Sequence, residues 1–142
     1  MKLEPSDLDA AVTWTLSRAA LAVERRLTTV IAAHGITAVQ FGVLVQLATN
    51  NSMTRAELAR ATMVRPQSMA GVIEGMAEQR MLRFVGTSGR GRANPVMLTD
   101  SGEAIVDVVW PAFVEANKAK ALGLDENEAA SLNLVLHRLR EL

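Results

Sequence analysis

Residues 53–102 read MTRAELARATMVRPQSMAGVIEGMAEQRMLRFVGTSGRGRANPVMLTDSG, and this stretch decides the fold. Thr54 is followed three residues later by Glu57, which is the spacing of a capping box, so a short helix is predicted to begin here and to bury Leu58. Pro66 suits the first position of the next helix, because its missing N–H would have no partner there in any case. The stretch therefore predicts two helices joined by a tight turn.

An apolar stripe runs along the second of these helices, and its period changes after Arg80. The stripe consists of Met69, Val72, Ile73 and Met76. Beyond Arg80 the alternating residues Leu82, Phe84, Val96 and Leu98 predict two short strands around a loop at residues 88–94. A short helix, a turn, a second helix and a hairpin are typical of a winged helix-turn-helix.

Helical patterns also flank this stretch. Ser6 is a predicted N-cap, and apolar residues at helical spacing predict one long helix from Leu8 to Ala33, ended by Gly35. Thr37 with Gln40 is a capping box for a further helix. After the hairpin, Thr99 caps a helix that contains Pro111, and Asp125 with Glu128 caps the last helix.

The predicted fold class is therefore mainly α (α+β), a winged helix-turn-helix with flanking helices. We expect a single domain over residues 1–142. Within it, the winged helix-turn-helix covers about residues 37–103, and helices suited to dimerisation cover about residues 6–35 and 104–142.

Composition excludes several classes of protein. With 142 residues and 49% hydrophobic residues, the chain is long enough to bury a core as one domain. It contains no cysteine and two histidines, a poor ligand supply, so we expect neither a metal site nor a cofactor. The first residues carry no leader pattern and no stretch is apolar enough to span a membrane, so a cytoplasmic location is expected. No catalytic motif indicates an enzyme.

The segment from Met53 to Gly102 resembles the MarR family of bacterial transcriptional regulators. Residues 53–61 match the first helix of the family's motif, residues 65–79 its recognition helix and residues 82–98 its wing. The resemblance implies a homodimer on double-stranded DNA, in which the terminal helices of two chains intertwine and two recognition helices meet a pseudo-palindromic operator. The alternative is that the terminal helices pack only within one chain.

The first turn of the predicted recognition helix carries the candidate base-reading residues Arg65, Gln67, Ser68 and Ala70. Arg65 can donate two hydrogen bonds to guanine, Gln67 can pair with the edge of adenine, and Ser68 can bind base or phosphate. The simpler interpretation is that Arg65 and Gln67 are ordinary solvated residues. Their position in the motif favours readout of DNA.

Positive charge is concentrated around this helix. Between Thr54 and Pro95 there are seven arginines and three glutamates, so this part of a neutral chain carries a net charge of +4. Arg55 is a candidate phosphate contact, and Arg90 and Arg92 at the hairpin tip suit a narrow minor groove. A plain solvated turn is the alternative for the tip.

Three residues depart from the pattern of the resembling family. Arg90 replaces an Asp that usually holds the wing arginine, here Arg92. Gly71 replaces a frequently basic residue of the recognition helix, and Arg80 replaces the glycine that commonly ends it. Gly71 and Arg90 leave open a second function, a winged-helix protein-interaction module that does not bind DNA.

Regulators of this type often bind small aromatic or phenolic compounds between the dimerisation helices and the DNA-binding unit. By analogy, a possible small-molecule effector site is expected at Trp14, Arg18, His34, Phe41 and Trp110. An apolar pocket with one cation suits an organic acid. The alternative is that these residues are ordinary core and surface, with His34 serving the end of a helix.

Overall fold

The computed structural model describes residues 4–86 and 94–141, in which short strands lie among helices. The elements are α1 (Pro5–Asp9), α2 (Val12–Ala32), α3 (Ala38–Asn50), β1 (Ser52–Met53), α4 (Arg55–Ala61), α5 (Pro66–Glu78), β2 (Leu82–Phe84), β3 (Val96–Leu98), α6 (Asp100–Ala116), a 3₁₀ turn (Ala119–Leu122) and α7 (Glu126–Leu139). The predicted mainly helical winged helix-turn-helix is confirmed, with α4 and α5 as its two helices.

A three-stranded antiparallel sheet completes the winged unit, in the order β1-β3-β2. The predicted hairpin is present, with Leu82 opposite Leu98 and Phe84 opposite Val96. Sequence did not predict β1, because two residues, Ser52 and Met53, are too short to show an alternating pattern. Its pairing with β3 ties the start of α4 to the wing.

The capping signals in the sequence set most of the helix starts. Thr37 caps α3, Thr54 caps α4 and Asp125 caps α7, each in a reciprocal capping box with the residue three positions later. Thr99 caps α6 by accepting a hydrogen bond from the amide of Gly102 at 3.1 Å. These predictions are confirmed because a cap is a local interaction, readable from four residues.

The predicted long helix from Leu8 to Ala33 is wrong. The chain forms two helices, because Ala11 takes an extended backbone conformation with ψ 103° between α1 and α2. The first helix also begins earlier, at Pro5 with Glu4 as its N-cap, and not after Ser6. Apolar spacing did not detect the break, since Leu8, Val12 and Leu16 keep a spacing of four residues across it.

The core lies almost entirely between α3 and β3. We name residues 36–99 the central unit, and its largest fully buried side chains include Leu44, Leu47, Leu58, Met69 and Ile73. We name α1, α2 and α7 the terminal helices. Ile31 is the one buried residue in α2, and the described parts of α1 and α7 bury none.

Candidate nucleic-acid interface

One side of α5 is anchored in the core while its first turn faces solvent. Met69, Ile73 and Met76 are at most 1% exposed and hold the helix against the central unit. Arg65, Gln67 and Ser68 are exposed, and Ala70 is partly buried beside the anchor. Arg65 is the N-cap, yet its side chain makes no capping hydrogen bond. The polar groups of this turn therefore point away from the protein and are available to a ligand.

A cleft joins the first turns of α4 and α5. It has a volume of about 360 Å³ and is lined by Arg55, Ala56, Pro66, Gln67 and Ala70. The structure thus brings three of the predicted DNA-contacting residues, Arg55, Gln67 and Ala70, to one surface. Within the described chain, the Nε of the half-buried Arg55 is buried and has no hydrogen-bond partner.

Two non-glycine residues take left-handed backbone conformations at the ends of α4 and α5. Met63 has φ 54° and Arg80 has φ 59°. Each is followed by an amide that reaches back five residues, from Val64 to the carbonyl of Ala59 and from Met81 to the carbonyl of Met76. Arg80 therefore ends α5 in the geometry that glycine usually provides, at some cost in backbone strain.

Beyond its first turn, α5 contains two glycines, and Glu74 and Glu78 are exposed there. A Cβ atom built on Gly71 or on Gly75 meets no atom within 4 Å. Both glycines lie inside the helix and neither has a positive φ, so they are not required by the backbone. The exposed polar side chains at the start of α5 are those of Arg65, Gln67 and Ser68.

The predicted wing-tip contacts Arg90 and Arg92 lie outside the described residues. On the part of the hairpin that is described, Arg83 of β2 is exposed. On α4, Glu57 accepts hydrogen bonds from the amide and the hydroxyl of Thr54 at 2.7 and 2.8 Å. These bonds hold the pKa of the Glu57 carboxyl below its usual value, with the backbone amide as the main cause.

A second candidate site is an open groove between the terminal helices and the central unit. Its volume is about 840 Å³, and α2, α3, α6 and α7 contribute its walls. Phe41 and Trp110 line it together with Phe113, whose ring lies 5.1 Å from that of Phe41 and 5.4 Å from that of Trp110. The groove also reaches Thr62, at the end of α4, so an occupant would contact the helix-turn-helix itself.

Three of the predicted effector residues lie away from this groove. Trp14 and Arg18 are exposed on α2 and His34 is exposed just after it, and none of the three is among the residues that line the groove. The side chains that line it and were not predicted include Phe113 and the polar residues Glu24 and Gln46. Phe113 follows Trp110 by one helical turn, and this spacing was the available signal.

Residues 4–86 and 94–141 contain no group of three or more His, Asp or Glu side chains placed to hold a metal ion. In the same ranges, no helix combines the length and the apolar character needed to cross a membrane.

Comparison with known proteins finds a similarity to one family. A model of the MarR family matches residues 34–93, which include α3, α4, α5 and β2. Over these residues the chain is similar to the MarR family, and the matched segment includes the exposed first turn of α5.

Two curated relatives are similar to this chain. The HTH-type transcriptional repressor NicR of Pseudomonas putida is 27% identical over 104 residues, which cover 73% of this chain and 66% of NicR. The HTH-type transcriptional regulator PecS of Dickeya dadantii is 25% identical over 144 residues, which cover 97% of this chain and 87% of PecS. The second match includes the terminal helices.

Solved structures share the fold. One is BpsR of Bordetella bronchiseptica, whose DNA binding is described as regulated by 6-hydroxynicotinic acid. Its structure matches with a TM-score of 0.75 and 21% identity, covering 89% of this chain and 98% of that one. At this identity the match shows the fold of the chain alone.

Proposed function

We propose that this chain is a sequence-specific, homodimeric regulator that binds a pseudo-palindromic duplex operator through the first turn of α5. The observation that carries the proposal is the contrast within that helix. Met69, Ile73 and Met76 fix one side in the core, and Arg65, Gln67 and Ser68 are exposed at the tip. A helix held in this way presents its N-terminal side chains to base edges in the major groove.

Arg55 supports the same surface. Its guanidinium is half-buried beside Gln67 in the cleft between α4 and α5, and its Nε has no partner among the described residues. An unpaired buried donor costs about 1–3 kcal/mol, so an acceptor entering the cleft is favoured. A phosphate oxygen is such an acceptor, and it forms charge-assisted hydrogen bonds with guanidinium groups. We assign Arg55 to the DNA backbone, and the predicted wing arginines Arg90 and Arg92 to the adjacent minor groove.

The terminal helices supply the dimer interface in this proposal. They leave large apolar side chains in solvent, namely Leu8, Val12, Trp14, Leu21, Val23, Leu132, Leu134, Val135 and Leu136. Monomeric proteins rarely expose so much contiguous apolar surface. A second copy would cover it and place two α5 tips about one turn of DNA apart.

The aromatic groove is the proposed effector site. Phe41, Phe113 and Trp110 offer flat rings, and Gln46 and Thr62 offer hydrogen-bonding groups at its wall. A small aromatic or phenolic compound fits this chemistry. BpsR, whose DNA binding is regulated by 6-hydroxynicotinic acid, is consistent with it. The groove reaches Thr62 at the end of α4, so a bound ligand would contact the helix-turn-helix, and we propose that it relieves repression. A regulator that acts on the chromosome would work in the cytoplasm.

Selection of genomic fragments tests the proposed function. Fragments of the source genome are passed over the purified chain, and the enriched sequence is then titrated as a labelled duplex at 50 and 200 mM salt. We expect an inverted-repeat motif whose affinity falls by orders of magnitude at the higher salt, because bound phosphates release counterions.

The alternative function gives a different result. A winged-helix interaction module would enrich no common motif and would bind duplex DNA weakly at both salt concentrations. That outcome would contradict the proposal for DNA binding, whatever the oligomeric state of the chain.

A further inference from the structure

The end of α5 and the start of α6 meet in a compact joint. We name the joint the α5–α6 junction and define it by Arg80, Met81, Thr99 and Gly102. The hydroxyl of Thr99 donates a hydrogen bond to the carbonyl of Arg80, 19 residues away. The amide of Thr99 donates to the carbonyl of Met81 at 3.2 Å. Two carbonyls that follow α5 are thus bound by the residue that caps α6.

Gly102 makes this contact possible. It is buried, and a Cβ atom at its position would lie 2.0 Å from the carbonyl oxygen of Met81. No side chain fits in that space, so the backbone of α6 touches the backbone that ends α5. The Thr99 hydroxyl also accepts from the amide of Gly102, and it therefore serves both helices.

The other anchors of α5 are of a different kind. Met69, Ile73 and Met76 pack by apolar contact, which is favourable without being directional. Hydrogen bonds at the α5–α6 junction have preferred angles and distances, so they restrict the tilt of the helix and its position along its axis. Among the described residues, the α5–α6 junction therefore holds the C-terminal end of α5 by hydrogen bonds.

A small rotation at the C-terminal end of α5 becomes a large displacement at its N-terminal end. With 13 residues, α5 is about 20 Å long, and a rotation of about 5° at its C-terminal end displaces its N-terminal end by roughly 2 Å. Hydrogen bonds to base edges do not survive such a shift, since they need donor–acceptor distances of about 3 Å. Contacts from long side chains to phosphates tolerate it better, because they carry no sequence information.

We infer that Thr99 is a positioning residue, which sets the recognition helix at the angle needed to discriminate operator from other DNA. This inference rests on the proposed function. It assigns sequence discrimination to a residue that touches no base and stands at the far end of α5. The hydroxyl acts by holding the carbonyl of Arg80 while it caps α6.

Four variants separate positioning from ordinary stability. Thr99→Val removes the hydroxyl and keeps the shape of the side chain. Thr99→Asp keeps an acceptor for the Gly102 amide, so α6 remains capped, but its carboxylate cannot donate to Arg80. Thr99→Ser retains both bonds. Thr37→Val is the matched control, because it removes the threonine cap of α3, whose hydroxyl accepts from the Gln40 amide three residues away.

The measurement is the ratio of the dissociation constants for scrambled and operator duplexes of equal length, at one salt concentration and well below each variant's melting temperature. We expect Thr99→Val and Thr99→Asp to lower this ratio about five- to tenfold, as expected for losing one or more hydrogen bonds. Thr99→Ser and Thr37→Val should stay within about twofold of the unmodified protein.

The inference is overturned if Thr99→Val and Thr99→Asp discriminate as well as Thr37→Val does. Should Thr99→Val fail to fold, the result for Thr99→Asp decides, since its helix cap is intact. If the unmodified chain shows no preference for any duplex, the proposed function itself has failed, and this outcome is visible before any variant is made.

Discussion

The central unit and the terminal helices differ in how far they bury their apolar side chains. The central unit buries Leu44, Leu47 and Leu58 completely, and its helices begin at caps that the sequence encodes locally. In the terminal helices, Leu134 is 68% exposed and Val12 is 73% exposed. The first region is stabilised by its own core. The second leaves large apolar side chains that the described residues do not cover, which teaches that their burial would have to come from the second copy proposed above.

The largest predicted effect is the difference in stability between two leucine-to-alanine variants, one in each region. Leu47→Ala should lower the free energy of unfolding by about 2–5 kcal/mol, because it leaves a cavity in a closed core. Leu134→Ala should have little effect at low protein concentration, where its side chain already meets water. Denaturant titrations at several protein concentrations measure both. Equal losses for the two variants at every concentration would remove the distinction between the regions.

Two exposed arginines, one in each region, should differ in their effect on DNA binding. Arg65→Ala should weaken binding to the operator by about 1–3 kcal/mol and relax sequence preference at one position of each half-site. Arg18→Ala is the control, because Arg18 is also exposed but lies on α2. Titration of single-base operator variants gives the preference. If Arg65→Ala changed affinity without changing preference, Arg65 would be a phosphate contact only.

Two glycine-to-alanine substitutions should have smaller effects on stability, and the two effects should have opposite signs. Gly75→Ala should stabilise the protein by about 0.5–1 kcal/mol, since a Cβ atom there meets open space inside a helix. Gly102→Ala should destabilise it, because the new Cβ collides with the carbonyl of Met81. Thermal unfolding distinguishes the two. If Gly75→Ala were destabilising, the space beside Gly75 would have to be used for a contact within the protein.

The smallest predicted effect is a dependence on pH. The pKa of Glu57 lies below its ordinary value of 4.5 in the folded chain, so its ionised form contributes stability above that value, and the contribution is lost as pH falls through the lowered pKa. The unmodified protein should therefore lose stability more steeply than Glu57→Gln between about pH 5 and pH 3. Parallel curves for the two proteins would contradict this role of the Thr54–Glu57 capping box.

Local features of the fold were readable from the sequence, and distant ones were not. Thr37, Thr54 and Asp125 were identified as caps because their partners lie three residues away. The bond from Thr99 to Arg80 spans 19 residues, and β1 pairs with a strand more than 40 residues later, so neither has a signature in a short window. The break at Ala11 was missed because alanine is the best helix former.

The candidate sites follow the same rule. Arg65, Gln67 and Ser68 could be placed at a helix tip because Pro66 marks the start of α5. Of the residues predicted for the effector site, Phe41 and Trp110 line the groove, while Trp14 and Arg18 lie on another face of α2. The lining residues of that helix follow the apolar stripe through Leu16, Ala20 and Leu27, to which Trp14 and Arg18 do not belong.

The mass of the protein–DNA complex tests the central claim most directly. Sedimentation of the chain with a duplex of about 25 base pairs, long enough for two half-sites one helical turn apart, reports how many chains bind. Two chains on one duplex are predicted, together with a protein dimer in the absence of DNA. One chain on one duplex, with free protein that remains monomeric at micromolar concentration, would contradict the pairing of the terminal helices.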